Sequence, residues 1–303
     1  MNKKKIIFDS ILNIAASAIP IIILQLIILP ILGSEVGGSE YGLILTLVSL
    51  STLFSLPFGN VLNNIRLLVD AEYSDKKIAG DFNILLLISV ILNSLMIIIG
   101  TIIYEDTVNI LNIILIAVFS NLNLIREYLV VSFRIKLSYD KILINNLILG
   151  IGYLLGLAVF YKTGKWQYIY IVGAGCSTYY IFKNSELIME PFKRTILFKI
   201  TSYKTIVLFC SNFLKTLMMY ADKLIIFPLM GATAVTVYYS ATVMGKIISM
   251  AITPISGVVL SHLAKSKGIK LKTFLHLIGV VSMVGIMGYI IIILISEPIL
   301  KLL

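Results

Sequence analysis

Long apolar runs separated by short polar ones set the pattern of this chain. A hydrocarbon core about 30 Å thick needs roughly 20 helical residues to cross it. Nine segments reach that length, at approximately 8–32, 41–63, 83–104, 108–126, 142–161, 167–183, 204–230, 235–262 and 273–296. They predict an all-α polytopic membrane protein with about nine transmembrane helices. Met1-Asn-Lys-Lys-Lys5 resembles the start of a signal peptide, and Ala16-Ser-Ala18 mimics a cleavage site. Asp9 and Asn13 interrupt the intervening run, and the strongest apolar stretch, Ile19–Leu32, lies downstream. The segment therefore reads as a retained first helix.

Composition points the same way. Of 303 residues, 59% are hydrophobic and 13% charged, and the mean hydropathy is +1.01. An ordinary soluble domain is excluded. A net charge of +10 would suggest nucleic acid in a soluble chain. Here the basic residues gather in alternate loops: Lys3–Lys5, Arg66–Lys77, Arg126–Lys141, Lys183–Lys204 and Lys265–Lys272. The opposite loops hold only Lys162 and Lys165. Positive residues favour the cytoplasmic side, so the N-terminus is expected inside and the C-terminus outside. Nucleic acid drops out as a partner. Cys176 and Cys210 both fall in apolar segments and imply neither a disulfide nor a metal site. His262 and His276 flank one loop without ligand-type neighbours, so no cofactor or metal is expected.

The widest inside connection divides the chain. Residues 1–183 form an N-lobe of six transmembrane helices, 184–203 a cytoplasmic amphipathic linker, and 204–303 a partial C-lobe of three. Phe192-Lys-Arg-Thr-Ile-Leu-Phe-Lys199 alternates apolar and basic residues, as an interfacial linker would. The segments that open the two lobes look alike. Leu29-Pro-Ile-Leu-Gly33 ends one span and Tyr41 opens the next; Phe227-Pro-Leu-Met-Gly231 ends its counterpart and Val235 opens the next. Pro20, Pro57 and Pro254 lie inside spans, where proline frees a carbonyl and permits a kink.

The candidate chemistry lies in the two spans after the linker. Counting about 1.5 Å per residue places Lys215 and Lys246 roughly 15–16 Å deep, near the midplane. Burying a lysine there costs on the order of 2.5–3.5 kcal/mol on insertion scales. Asp222 follows Lys215 by two helical turns and is the nearest candidate counter-ion, with Lys223 beside it near the outer boundary. One reading is a wet cavity with a cationic wall, suited to an anionic substrate. The other is an intramembrane Lys215–Asp222 pair that locks two helices together. Gln25, Asn93, Asn121 and Asn123 read as interhelical hydrogen-bonding groups. Asn60, Asn63, Asn64 and Arg66, with Arg126-Glu127, read as inner-end anchors or as a vestibule for a phosphate headgroup.

Leu29-Pro-Ile-Leu-Gly33 with Glu40-Tyr-Gly42, and Tyr220-Ala-Asp-Lys-Leu-Ile-Ile-Phe-Pro-Leu-Met-Gly231 with Tyr238-Tyr-Ser-Ala241, resemble the Wzx-type polysaccharide-unit flippases. These belong to the multidrug/oligosaccharidyl-lipid/polysaccharide exporter superfamily. The resemblance implies two helical lobes in a bacterial cytoplasmic (inner) membrane and alternating access. It also implies transfer of undecaprenyl-diphosphate-linked oligosaccharide units from inner to outer leaflet, for O-antigen, capsule or exopolysaccharide. Lys215, Asp222, Lys223 and Lys246 would then belong to a substrate-binding cavity wall. Membrane lipids, a polysaccharide polymerase and export machinery would be partners. Such proteins continue for about three helices beyond the point matching Leu303. A non-transporting remnant or interaction subunit is therefore an alternative. A cationic drug exporter is another, disfavoured because the first lobe has no carboxylate deep in a span. An enzyme is not expected, because the outside loops are too short to carry a catalytic constellation.

Overall fold

A computed structural model describes residues 16–76, 78–105 and 109–243, with isolated positions outside them. Lys246, Pro254 and both histidines lie outside the described residues, as does the ninth predicted span apart from isolated positions. Every regular element among the described residues is helical. In chain order these are α1 (Ala16–Val36), α2 (Gly38–Asp75), α3 (Asp81–Tyr104), α4 (Ile110–Ile135), α5 (Tyr139–Thr163), α6 (Gln167–Asn184), α7 (Phe198–Met230) and α8 (232–243). Helices α1 to α5 are long and apolar enough to cross a membrane. The chain is a helical membrane protein.

Local chemistry explains several boundaries. The Asn109 side chain accepts hydrogen bonds from the amides of Leu111 and Asn112, capping α4. Gly164, with φ +69°, ends α5 in a left-handed step, its amide on the Phe160 carbonyl. The two outer turns expected around Gly33–Glu40 and Gly231–Ala234 each shrink to a single residue. α1 runs on through Gly33 and breaks at Gly37, while α7 breaks at Gly231. These two glycines share one conformation, φ/ψ 79°/162° and 84°/171°. That region of backbone space is essentially open to glycine alone.

α2 is the axis. Its most apolar 18-residue window is 67% buried, against 28–39% for the other four candidate spans. The pattern predicts a span ending at residue 63, but the helix continues to Asp75. Val61, Leu62, Ile65, Val69 and Tyr73 prolong one buried face past the polar residues. At 38 residues it is roughly 57 Å long, nearly twice the hydrocarbon thickness. α3, α4 and α7 pack along it, and α5 and α6 form a tight pair against α4. Glycines let α5 and α6 approach closely: a Cβ on Gly156 would stand 2.6 Å from the Ile169 backbone.

Three layers succeed one another along α2. At the end nearer Gly38, the outer one on the expected orientation, Tyr41, Ile44, Leu45 and Leu47 join an apolar core with Phe119, Trp166, Tyr170 and Tyr239. A polar layer follows. Asn93 donates to Ser120 and Asn121 (both 2.9 Å), Asn121 to Ser94 (2.7 Å) and Asn123 to Ser55 (3.1 Å). At the inner end, Val61 to Tyr73 form a second core with Phe82, Tyr128 and Phe133.

The connection 185–197 crosses that inner end as a strap with one short 3-10 turn at Leu187–Met189. It is pinned from the inside. Arg66 makes a bidentate pair with Glu190, its two terminal nitrogens donating at 2.8 and 2.7 Å, and its guanidinium lies 4.9 Å from the centre of the Phe82 ring. Asn83 donates to the Glu190 carbonyl at 2.6 Å. Asp81, wholly buried, accepts from the Thr195 amide at 2.7 Å and from Tyr73 at 2.6 Å. Gly80, with φ +130°, lets the strap backbone pass where a Cβ would stand 2.6 Å from the Pro191 and Lys193 carbonyls.

Candidate functional site

The site sits where α2, α7 and α8 meet. α7 and α2 run antiparallel in contact, joined by stacked rings (Phe58–Phe209 at 4.4 Å, Phe54–Phe213 at 5.8 Å between centres). Near the outer end Tyr104 of α3 donates to the Leu224 carbonyl at 2.9 Å. α8 turns back onto α2, its Thr236 hydroxyl donating to the Gly38 carbonyl at 2.6 Å. A Cβ on Gly42 would stand 1.8 Å from the Ala232 carbonyl oxygen. The beginnings of α2 and α8, each following its positive-φ glycine, thus pack directly on each other.

This packing encloses Lys223. The residue is only 5% exposed. Its ammonium donates to the Ser49 hydroxyl at 3.1 Å, and Ser49 in turn donates to the Leu45 carbonyl at 2.7 Å. The Tyr220 and Tyr239 rings each stand 5.6 Å from Nζ. Cation–π contacts in such desolvated settings are worth about 2 kcal/mol. Seven residues separate Lys223 from the end of α7, which puts it about 10 Å below that end.

A second polar shell surrounds the ammonium. Tyr239 donates to the Gln25 side chain on α1 and meets Tyr41 edge-on at 6.0 Å. Asp222 accepts from the Lys223 amide at 2.9 Å and from the Tyr238 hydroxyl. Gln25 lies inside a π-helical stretch, Ile23–Ile28. Pro30 accounts for the widened turn: its ring clashes with the carbonyl four residues earlier and it supplies no amide proton. π-helical turns are frequent at functional sites. No sequence pattern announces this one beyond a proline shortly after a mid-span glutamine.

The four sequence-predicted site residues separate here. Lys223, placed by counting near the outer boundary, is the enclosed cation. Asp222 is half-buried beside it. Lys215 lies exposed on α7 and forms no ion pair among the described residues, so the alternative reading, a Lys215–Asp222 pair locking two helices, is not what the structure makes. Helical spacing aligned the two residues on one face, but Asp222 turns toward α8 and the Lys223 amide. Lys246 lies outside the described residues. Ser49, Tyr220, Tyr239 and Gln25, which complete the arrangement, carry no charge, and only Gln25 stood out from an apolar background.

Of the inner-end polar residues, Arg66 is taken up by Glu190, while Asn63, Asn64, Arg126 and Glu127 bond among themselves or to Arg134. Asn63 donates to the Glu127 carbonyl at 2.7 Å, Arg134 to the side chains of Asn63 and Asn64, and Arg126 to Glu127. Chemically, the α2–α7–α8 junction can hold a positive charge at low dielectric and clamp three helices around it. Searches of known protein families, curated proteins and solved structures return no match to this chain.

Proposed function

We propose that this chain is a membrane transporter for an anionic amphiphile, its cargo a diphosphate-linked oligosaccharide carried on undecaprenol. It spans a bacterial cytoplasmic membrane about nine times and moves that cargo from inner to outer leaflet by alternating access. The supporting observation is Lys223, a lysine enclosed where the helices before and after the strap meet. Buried ionisable residues in membrane proteins are costly and mark substrate or ion pathways. Its neighbours suit the role, because the Ser49 hydroxyl and the Tyr220 and Tyr239 ring faces hold the ammonium in place at the junction.

On this reading Lys215 and Lys246 extend the positive potential along the path, and Asp222 tunes it. The test is export of surface polysaccharide in cells that express the full chain. Lys223→Met, and separately Lys215→Ala with Lys246→Ala, abolish export while membrane insertion is unchanged; Lys223→Arg retains part of it. Normal export by Lys223→Met would overturn the reading.

A further inference from the structure

The strap has two faces of opposite character. Its inward face carries Glu190, whose charge is taken up by Arg66, and Thr195, bonded to Asp81. The one other strap carboxylate, Glu186, lies 3.9 Å from Lys136. Outward, Met189, Phe192 and Ile196 are 86%, 68% and 80% exposed. Between and beyond them Lys193, Arg194 and Lys199 are exposed as well. Glu190 is turned in, whereas the Glu186 side chain stays 91% exposed at the start of the strap; from Met189 onward the groups facing out are apolar and cationic.

The strap's depth follows from α3. That helix has 24 residues, roughly 36 Å, enough to cross a hydrocarbon core of about 30 Å with little to spare. The strap bonds to its first residues, Asp81 and Asn83, so it lies at one edge of the hydrocarbon, at headgroup level. Apolar side chains beside lysines and an arginine at that level match an interfacial lipid-binding segment.

We propose that the outer face of the strap, with the first turn of α7, is a docking surface for anionic phospholipid headgroups. Met189, Phe192 and Ile196 enter the acyl boundary, and Lys193, Arg194 and Lys199 hold the phosphates. The Arg66–Glu190 pair presents this surface by keeping a carboxylate out of it. The inference is independent of what the chain transports.

The test uses the full chain with Cys176 and Cys210 replaced by serine and a fluorophore on Phe192→Cys. The protein is reconstituted in vesicles of equal parts phosphatidylcholine and phosphatidylglycerol. Acyl-brominated quencher is carried on one lipid or the other. Brominated phosphatidylglycerol should quench several-fold more strongly. Lys193→Gln/Arg194→Gln/Lys199→Gln should remove that preference. High salt should weaken it in the unmutated surface, without relying on any variant's folding. Equal quenching by both lipids would overturn the proposal. So would quenching by neither, which means a surface in water, or emission that changes with protein density, which means a second copy covers the strap.

Discussion

Single residues decide how closely the helices approach. Gly42 and Gly100 both face tight neighbours, but of different kinds. A methyl on Gly42 would meet the Ala232 carbonyl at 1.8 Å, backbone that cannot step aside. A methyl on Gly100 would meet the end of the Leu50 side chain at 2.6 Å, which can rotate. Overpacking typically costs about 1–3 kcal/mol. Gly42→Ala should therefore lower the unfolding midpoint in detergent clearly, and Gly100→Ala by much less; equal effects would contradict the packing described. At this scale the polar layer was legible, since Asn93, Asn121 and Asn123 inside apolar helices need partners and find them on neighbouring helices. The enclosed lysine was not. α7 is apolar around most of its circumference, so spacing alone could not tell whether Lys215 or Lys223 faced inward. That depends on Ser49 and Tyr239, 174 and 16 residues away along the chain.

At the scale of elements, the strap and the outer turns show what patterning misses. The alternation of apolar and basic residues in the linker marked it as interfacial, and its outer face has that character. Its inner face is set by Arg66 and Glu190, 124 residues apart, a pairing that no local pattern encodes. Their side chains are 8% and 14% exposed. Removing one member of a buried pair leaves the other uncompensated, at about 3–5 kcal/mol for a fully buried pair and less here. Arg66→Met and Glu190→Met should each destabilise the protein more than the double variant does. A double variant as unstable as the two losses summed would show that the pair does not couple the strap to α2. Helix ends shifted for related reasons. Gly33 looked like a turn residue by analogy with Gly231, but the helix runs through it, so close to the Tyr41 ring that a Cβ there would stand 3.3 Å from it, and stops at Gly37.

For the whole molecule, the helical class followed from hydropathy, because bilayer thickness imposes run length on any spanning helix. The way the helices on either side of the strap meet did not follow from it. α2 is contacted along its length by α7 and at its outer end by α8, so both sides of the strap contribute to one core. Gly37 and Gly231 repeat one backbone conformation at equivalent turns, and those turns pack against each other. The proposed function rests on the lysine enclosed at that junction.

The most direct measurement is transbilayer movement in proteoliposomes that contain the full chain. The cargo is a fluorescent undecaprenyl-diphosphate oligosaccharide, compared with the same sugar on an uncharged lipid. Movement of the diphosphate lipid alone is expected, slowed at least about tenfold (about 1.4 kcal/mol) in Lys223→Met at equal insertion. Equal movement of both lipids, or an unchanged rate in Lys223→Met, would contradict the proposed function.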